Sequence, residues 1–473
     1  MPGALEIRGV AAKGAGMARR RFCCLGCAWM GGGGAVLGAA ETASARTASG
    51  GIELLRDAET ETLLRNFADP LFRAAGIDPG LVRILLVRDD AINSFVTTGN
   101  RMVLFSGMIR ASRDASEVIG VIAHETGHIF EGHLVLLPEE LRRAYIQAIA
   151  GMLLAAAAGA ASGSAGVGVA GALGSEHIAT RNMLAFTRDM EAEADAAAMG
   201  FLDTLHWSAK GFLELLDTLK GEESLVTADQ DPYVQTHPLT RDRIAYVAHH
   251  VANSPWSGAR LPAGFDARYA LVRAKLDAFL TPSSLTLARV KAADASAPAR
   301  YARAIALYRL GHTREALVLL RGLERDDPGN PWFHELEGQV LFDGGQPRAA
   351  IGPYTEAVRL APGAELIRGE LARAMIETGD ASLLRPAIMQ LRIAIAAAPD
   401  QAGFWQALAI AHGRLGEIGQ AQLASAEAAM ARGDLPRAKG FAIAAERHLP
   451  PGPDRLRAQD ISNATRKENL EGF

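Results

Sequence analysis

The residues best placed to do chemistry are His124-Glu125-Thr126-Gly127-His128. Two histidines four positions apart lie on one helix face, about 6 Å apart along the axis, so both imidazoles can reach one tetrahedral ion. Glu125 is rotated by about 100° from His124 and flanks that ion, where its carboxylate can take a proton from water. The chemistry expected is peptide hydrolysis at one zinc ion per chain, with Glu125 as the base.

A catalytic zinc needs a third protein donor and an open fourth position. A histidine six residues after His128 would supply one known arrangement, but Leu134 holds that place and His133 is one residue out of register. Downstream, Met190-Glu191-Ala192-Glu193-Ala194-Asp195 begins an alanine-rich helical stretch with three acids. Glu191 and Asp195 share a face at i, i+4, whereas Glu193 points roughly 160° away from both. One of the pair can bind metal with the other beside it, and we assign Glu191 as the ligand. His133, His177, His206, His249, His250 and His312 have no partner at ligand spacing, so surface or packing roles are expected for them.

The stretch Asn93-Ser94-Phe95-Val96-Thr97-Thr98-Gly99, the histidine helix, Glu191 to Asp195, and Thr236-His237-Pro238 with Arg243 occur in a telling order. Over roughly residues 51 to 250 it resembles the envelope metallopeptidases related to HtpX and BepA, and the repeats that follow bring it nearer the BepA type. The resemblance implies that His124, His128 and Glu191 hold zinc, that Glu125 is the general base and that Asp195 is an acid near the site. It also implies that His237 can occupy the fourth zinc position and hold the enzyme inactive; by itself, His237 is equally a turn histidine before proline. Arg243 reads as structural. The implied partners are unfolded or misassembled envelope proteins and the outer-membrane assembly machinery.

These residues need elements to hold them. Leu54, Leu55, Leu63, Leu64, Phe67, Leu71 and Phe72 have the spacing of an amphipathic helix over residues 51 to 75. Val82 to Val87 reads as a strand, and residues 94–98 and 101–105 as a hairpin turning at Gly99-Asn100. Asp114 or Ser116 can cap the histidine helix. Beyond Pro298 the chain becomes periodic: Gly311, Gly345 and Gly379 recur at 34 residues, with Pro328 and Pro362 seventeen after the first two. Pro399, Gly416, Gly433 and Pro450 continue the ruler after one longer step, whose three extra residues fall near Ala381 to Arg385. This ruler resembles tetratricopeptide repeats.

The expected fold is therefore α+β and mainly helical: a gluzincin-like zinc peptidase domain with a small sheet, then an all-α tetratricopeptide-like solenoid. The expected segments are an export signal over 1–45, the peptidase domain over 46–255, a helical linker over 256–297, repeats over 298–450 and a tail over 451–473. Arg19-Arg20-Arg21, a Gly/Ala-rich apolar run and Ala43-Ser44-Ala45 suit either the Sec or the twin-arginine export route, which predicts the periplasm. Cys23, Cys24 and Cys27 all precede that cleavage point, so disulfides and thiolate ligands are excluded from the mature chain.

With a net charge of -4 and 22% charged residues, nucleic acid binding has no electrostatic support. Residues 144 to 174 are nearly all small or apolar, but Ser162-Gly163-Ser164 interrupts them, favouring a packed hairpin that touches a membrane peripherally over one that spans it. Two rival readings use the same residues: a periplasmic chaperone or assembly scaffold with a blocked protease site, and a membrane-integrated protease.

Overall fold

The computed structural model describes residues 53–97, 99–133, 187–220 and 237–467, with side chains to residue 464. Residues 1–45, expected to be an export signal, and the small-residue run 144–174 lie outside the described residues. No helix among those described is long and apolar enough to cross a membrane.

Four short strands, β1 (Leu54–Leu55), β2 (Arg83–Val87), β3 (Ser94–Thr97) and β4 (Arg101–Phe105), form one sheet in the order β1-β2-β4-β3. β2 and β4 run parallel; the β1–β2 and β3–β4 pairs are antiparallel. The β3–β4 turn places Gly99 at φ 78° and Asn100 at φ 51°, a left-handed pair that glycine and asparagine tolerate. Helix α1 (Ala58–Ala74) starts later than its apolar spacing suggests. Leu54 and Leu55 pair with Val87 and Leu86 instead, and Asp57 ends that strand by accepting the Thr60 amide at 2.9 Å as helix cap.

Helices α2 (Ser106–Ala111), α3 (Ala115–Phe130), α4 (residues 187–204), α5 (Lys210–Leu219) and α6 (Arg241–Asn253) complete the unit that carries the sheet, around one core. Phe67, Phe72, Met102, Leu104, Val118, Ile122 and Phe212 are all buried in it. Each large side chain so buried contributes roughly 1.5–3 kcal/mol.

Helix α7 (Phe265–Leu280) lies between this unit and the repeats. Tyr269, Val272 and Leu276 enter the core of that unit, whereas Leu271 and Ala278 enter the first repeat core. After α8 (Ser283–Arg289) come ten helices: α9 (Ala297–Arg309), α10 (Thr313–Asp326), α11 (Pro331–Asp343), α12 (Pro347–Leu360), α13 (Glu365–Glu377), α14 (Leu384–Ala397), α15 (Ala402–Arg414), α16 (Ile418–Ala431), α17 (Leu435–His448) and α18 (Pro453–Lys467). They stack as a helical solenoid. The periodic glycines 311, 345, 379, 416 and 433 all sit at positive φ between helices, which is why they recur. The longer step is a single 3₁₀ turn, Ala381–Leu383, inserted before α14.

A buried charge cluster also joins the sheet-bearing unit to the repeats. Lys275 Nζ on α7 lies 2.6 Å from Asp57, 3.3 Å from Glu59 and 3.5 Å from Glu335 on α11, and Tyr301 of α9 donates to Glu59 at 2.9 Å. Burial pushes the Glu59 carboxyl up to about 7, against the opposing pull of Lys275. Its folded value thus lies above its unfolded one. The proton's stabilising contribution is complete below the ordinary glutamate range and is lost as pH rises through about 7.

We therefore expect the unfolding midpoint to fall between pH 5 and pH 8, with Glu59 contributing on the order of 3 kcal/mol or less. Glu59→Gln should flatten that dependence. Thermal unfolding of both proteins across this range checks it, and equal slopes would remove Glu59 from the linkage.

Candidate metal centre

Helix α3 carries the histidine pair, and its start is fixed by Asp114, whose Oδ1 accepts the Ser116 amide at 2.9 Å. The whole helix from Val118 to His128 is buried, held between the sheet, α4 and α5. Two glycines allow that closeness. A Cβ at Gly127 would lie 2.6 Å from the Ala194 carbonyl oxygen and 2.9 Å from its Cα, and one at Gly120 would lie 2.4 Å from Phe212 Cβ. Gly127 therefore lets α4 approach α3 backbone to backbone, bringing the Glu191 carboxylate over the histidines.

His124, His128, Glu191 and His237 are all buried, and one donor atom from each falls within 4.8 Å of the others. His124 Nε2 is 3.2 Å from His128 Nε2, 3.3 Å from Glu191 Oε2 and 3.3 Å from His237 Nδ1. Glu191 Oε1 is 3.3 Å from His128 Nε2 and 3.1 Å from His237 Nδ1. A tetrahedral ion with metal–donor bonds of roughly 2.0–2.1 Å needs donors about 3.3–3.4 Å apart. The spacing fits.

The outer partners of the three histidines support the same fit, because each can take up the ring proton and leave a lone pair facing inward. His124 Nδ1 is 2.8 Å from Asp195 Oδ1. His128 Nδ1 is 2.8 Å from His133 Nδ1, whose own Nε2 is 3.1 Å from Glu193 Oε2. His237 Nε2 is 3.1 Å from the Ser94 backbone carbonyl.

Asp195 stands behind His124, outside the donor set. Its other partner is Arg243, which reaches Asp195 through Nε at 2.7 Å and Nη2 at 2.9 Å, and Glu191 through Nη1 at 2.7 Å. Burial opposes ionisation of both acids. The Arg243 charge and the hydrogen bond to His124 nevertheless hold Asp195 low, and the His237 charge with hydrogen bonds from the three histidines holds Glu191 well below its usual range.

Glu125 is fully buried beside the donors. Ser94 Oγ donates to its Oε1 at 2.6 Å, while Oε2 has no hydrogen-bond partner. One oxygen is anchored and the other is available for a proton, as a general base requires. Glu193, expected to point away, is 60% exposed and reaches the outer histidine His133.

Three contributors were not legible as such in the sequence. Arg243 is a buried bridge between two acids, His133 supports His128, and Ser94 anchors Glu125. For His133 a signal existed in Gly132, whose φ of 71° turns the chain back at the end of α3.

The chain is similar to several known proteins. Residues 55–251 match the model of peptidase family M48. The chain is 26% identical over 363 residues to the beta-barrel assembly-enhancing protease of Yersinia pestis, covering 75% of this chain and 73% of that one. It is likewise 26% identical over 275 residues to the protein of the same name in Escherichia coli, covering 56% of this chain and 54% of that one. The match thus spans about half the length of the Escherichia coli relative. Among solved structures, the tetratricopeptide protein YrrB aligns with 37% of this chain and 90% of its own at 20% identity, with a TM-score of 0.31.

Gly127→Ala tests the helix approach. The added methyl must push α4 back, and a shift of about 1 Å at a catalytic donor typically costs around 100-fold in rate. We expect loss of bound metal and of at least that much activity with helix content retained in circular dichroism. Full metal occupancy would show that Glu191 does not depend on this contact.

Proposed function

From residues 55–251 as an M48-type metallopeptidase domain, we propose that this protein is a zinc-dependent endopeptidase of the bacterial envelope. In this reading it acts in the periplasm on unfolded or misassembled outer-membrane proteins, gathered by its repeat domain. The observation that carries the hydrolytic part is the convergence of three imidazole donors and one carboxylate beside the unpaired Glu125 Oε2. Zinc suits this borderline set of nitrogen and oxygen donors. The names of the relatives, assembly-enhancing proteases, support the envelope setting, and the N-terminal pattern supports export.

His124, His128 and Glu191 would hold the ion, which supplies polarisation of the scissile carbonyl and acidification of water. Ser94 keeps Glu125 oriented through Oε1, so Oε2 accepts the proton of the attacking water and later delivers it to the leaving amine nitrogen. Asp195 acts as a positioning residue that fixes the ring of His124. An extended peptide has an edge to join, because β3 is the outer strand of the sheet.

His237 supports a restrained form of the same enzyme. With its Nδ1 among the donors it fills the fourth position, leaving no place for water or a carbonyl.

Glu125→Gln should keep the zinc of this centre and the fold while lowering hydrolysis of an unfolded envelope protein by at least ~100-fold, the upper part of the usual range for a lost general base. Metal analysis with a turnover assay measures both, and undiminished turnover would remove Glu125 from the mechanism.

For His237→Ala we expect higher basal hydrolysis, and none of the excess in the His237→Ala, Glu125→Gln double variant. A fall in rate at unchanged zinc content would instead assign His237 to oxyanion stabilisation.

A further inference from the structure

A second convergence of metal donors lies in the repeat domain, away from the peptidase residues. Glu324 ends α10, and His334 and Glu337 stand one turn apart on α11, so the two α11 side chains share a face. One donor atom from each of Glu324, His334 and Glu337 falls within 4.8 Å of the others, and His334 Nδ1 is 3.6 Å from Glu324 Oε1. The side chains of Glu324, His334 and Glu337 are only 13%, 15% and 9% exposed.

The pairing of these groups is incomplete. Arg321 Nε donates to Glu337 Oε1 at 2.8 Å and so neutralises one carboxylate. Glu324 Oε1 is shut away from solvent with no hydrogen-bond partner, although it faces His334. A buried carboxylate oxygen without a donor is costly, and burial together with the neighbouring Glu337 carboxylate pushes Glu324 up to about 7. A divalent cation supplies what is missing: it offers the orphaned oxygen a partner and accepts the imidazole lone pair. The nitrogen-plus-two-oxygen donor set suits zinc or a neighbouring first-row metal rather than calcium or magnesium, which prefer oxygen alone.

We propose that Glu324, His334 and Glu337 form a second divalent transition-metal site, which fastens α10 to α11 across the turn between the first two helix pairs of the solenoid. Three protein donors leave the fourth position of a tetrahedral ion to water. The competing occupant is a proton shared by the two carboxylates.

The test is calorimetric titration of the full metal-stripped chain with Zn²⁺, followed by Co²⁺ with its visible absorption as a readout of nitrogen and oxygen coordination. Wild type should take up two equivalents. Glu324→Gln and His334→Ala should each take up one, with affinity for the second weakened at least tenfold and helix content unchanged in circular dichroism. Zinc should also raise the unfolding midpoint of wild type more than that of Glu324→Gln. Because Glu324→Gln keeps the shape of the side chain, loss of the site through misfolding is separable from loss of a ligand. A single equivalent in wild type, or a second one that survives both substitutions, overturns the proposal; the first outcome leaves the shared proton as the occupant.

Discussion

The centre depends on one guanidinium. Glu191 and Asp195 are 3% and 0% exposed, and an ionised carboxylate moved out of water costs several kcal/mol unless it is paired. Arg243 pairs with both, spanning the single helical turn that separates them on α4. It keeps Asp195 ionised, the state in which Asp195 accepts the Nδ1 proton of His124 and turns the Nε2 lone pair toward the other donors. The geometry of the metal donors therefore rests on a residue that offers no donor itself. Arginine suits the place because its planar fork can meet two carboxylates at once, whereas a lysine would present one point of charge.

What was legible in the sequence was whatever a local periodicity encodes. The spacing of His124 and His128, the common face of Glu191 and Asp195 and the 34-residue glycine ruler are consequences of helix geometry, so they could be read before any coordinates. The roles of Arg243 and Ser94 were hidden because each acts across a long stretch of chain, 48 residues to Asp195 and 31 to Glu125. His133 was hidden for another reason. Five residues beyond His128, it cannot share the helix face, and only the left-handed turn at Gly132 returns it to its partner. Leu54 and Leu55 looked helical because two leucines fit the amphipathic spacing, but strand pairing and the Asp57 cap outweigh that weak local preference.

The peptidase core and the repeats are not packed independently of one another. Tyr269 of α7 places its hydroxyl between the carbonyls of Ile109 and Ser112, at 2.6 and 2.9 Å, just ahead of the Asp114 cap of α3. The same helix brings Lys275 into the cluster shared with α1, α9 and α11, and Arg83 of β2 reaches Asp400 of the repeats at 2.9 Å. Packing is therefore contiguous from the solenoid to the start of the helix that bears Glu125.

His237 has two contacts that belong together. Its Nδ1 lies with the metal donors, while its Nε2 faces the Ser94 carbonyl on β3. Because the neighbouring Asn93 carbonyl already accepts the Phe105 amide on the inner side, the Ser94 carbonyl faces the edge of the sheet that no strand among the described residues covers. A peptide adding to that edge would need the same oxygen for its own amide. On the proposed function, His237 would compete with an extended ligand at the strand edge as well as at the fourth donor position, through one ring. The two contacts are lost together when the ring leaves. A peptide amide at Ser94 would then replace the hydrogen bond given up by the histidine, so strand addition and opening of the donor set are parts of one exchange.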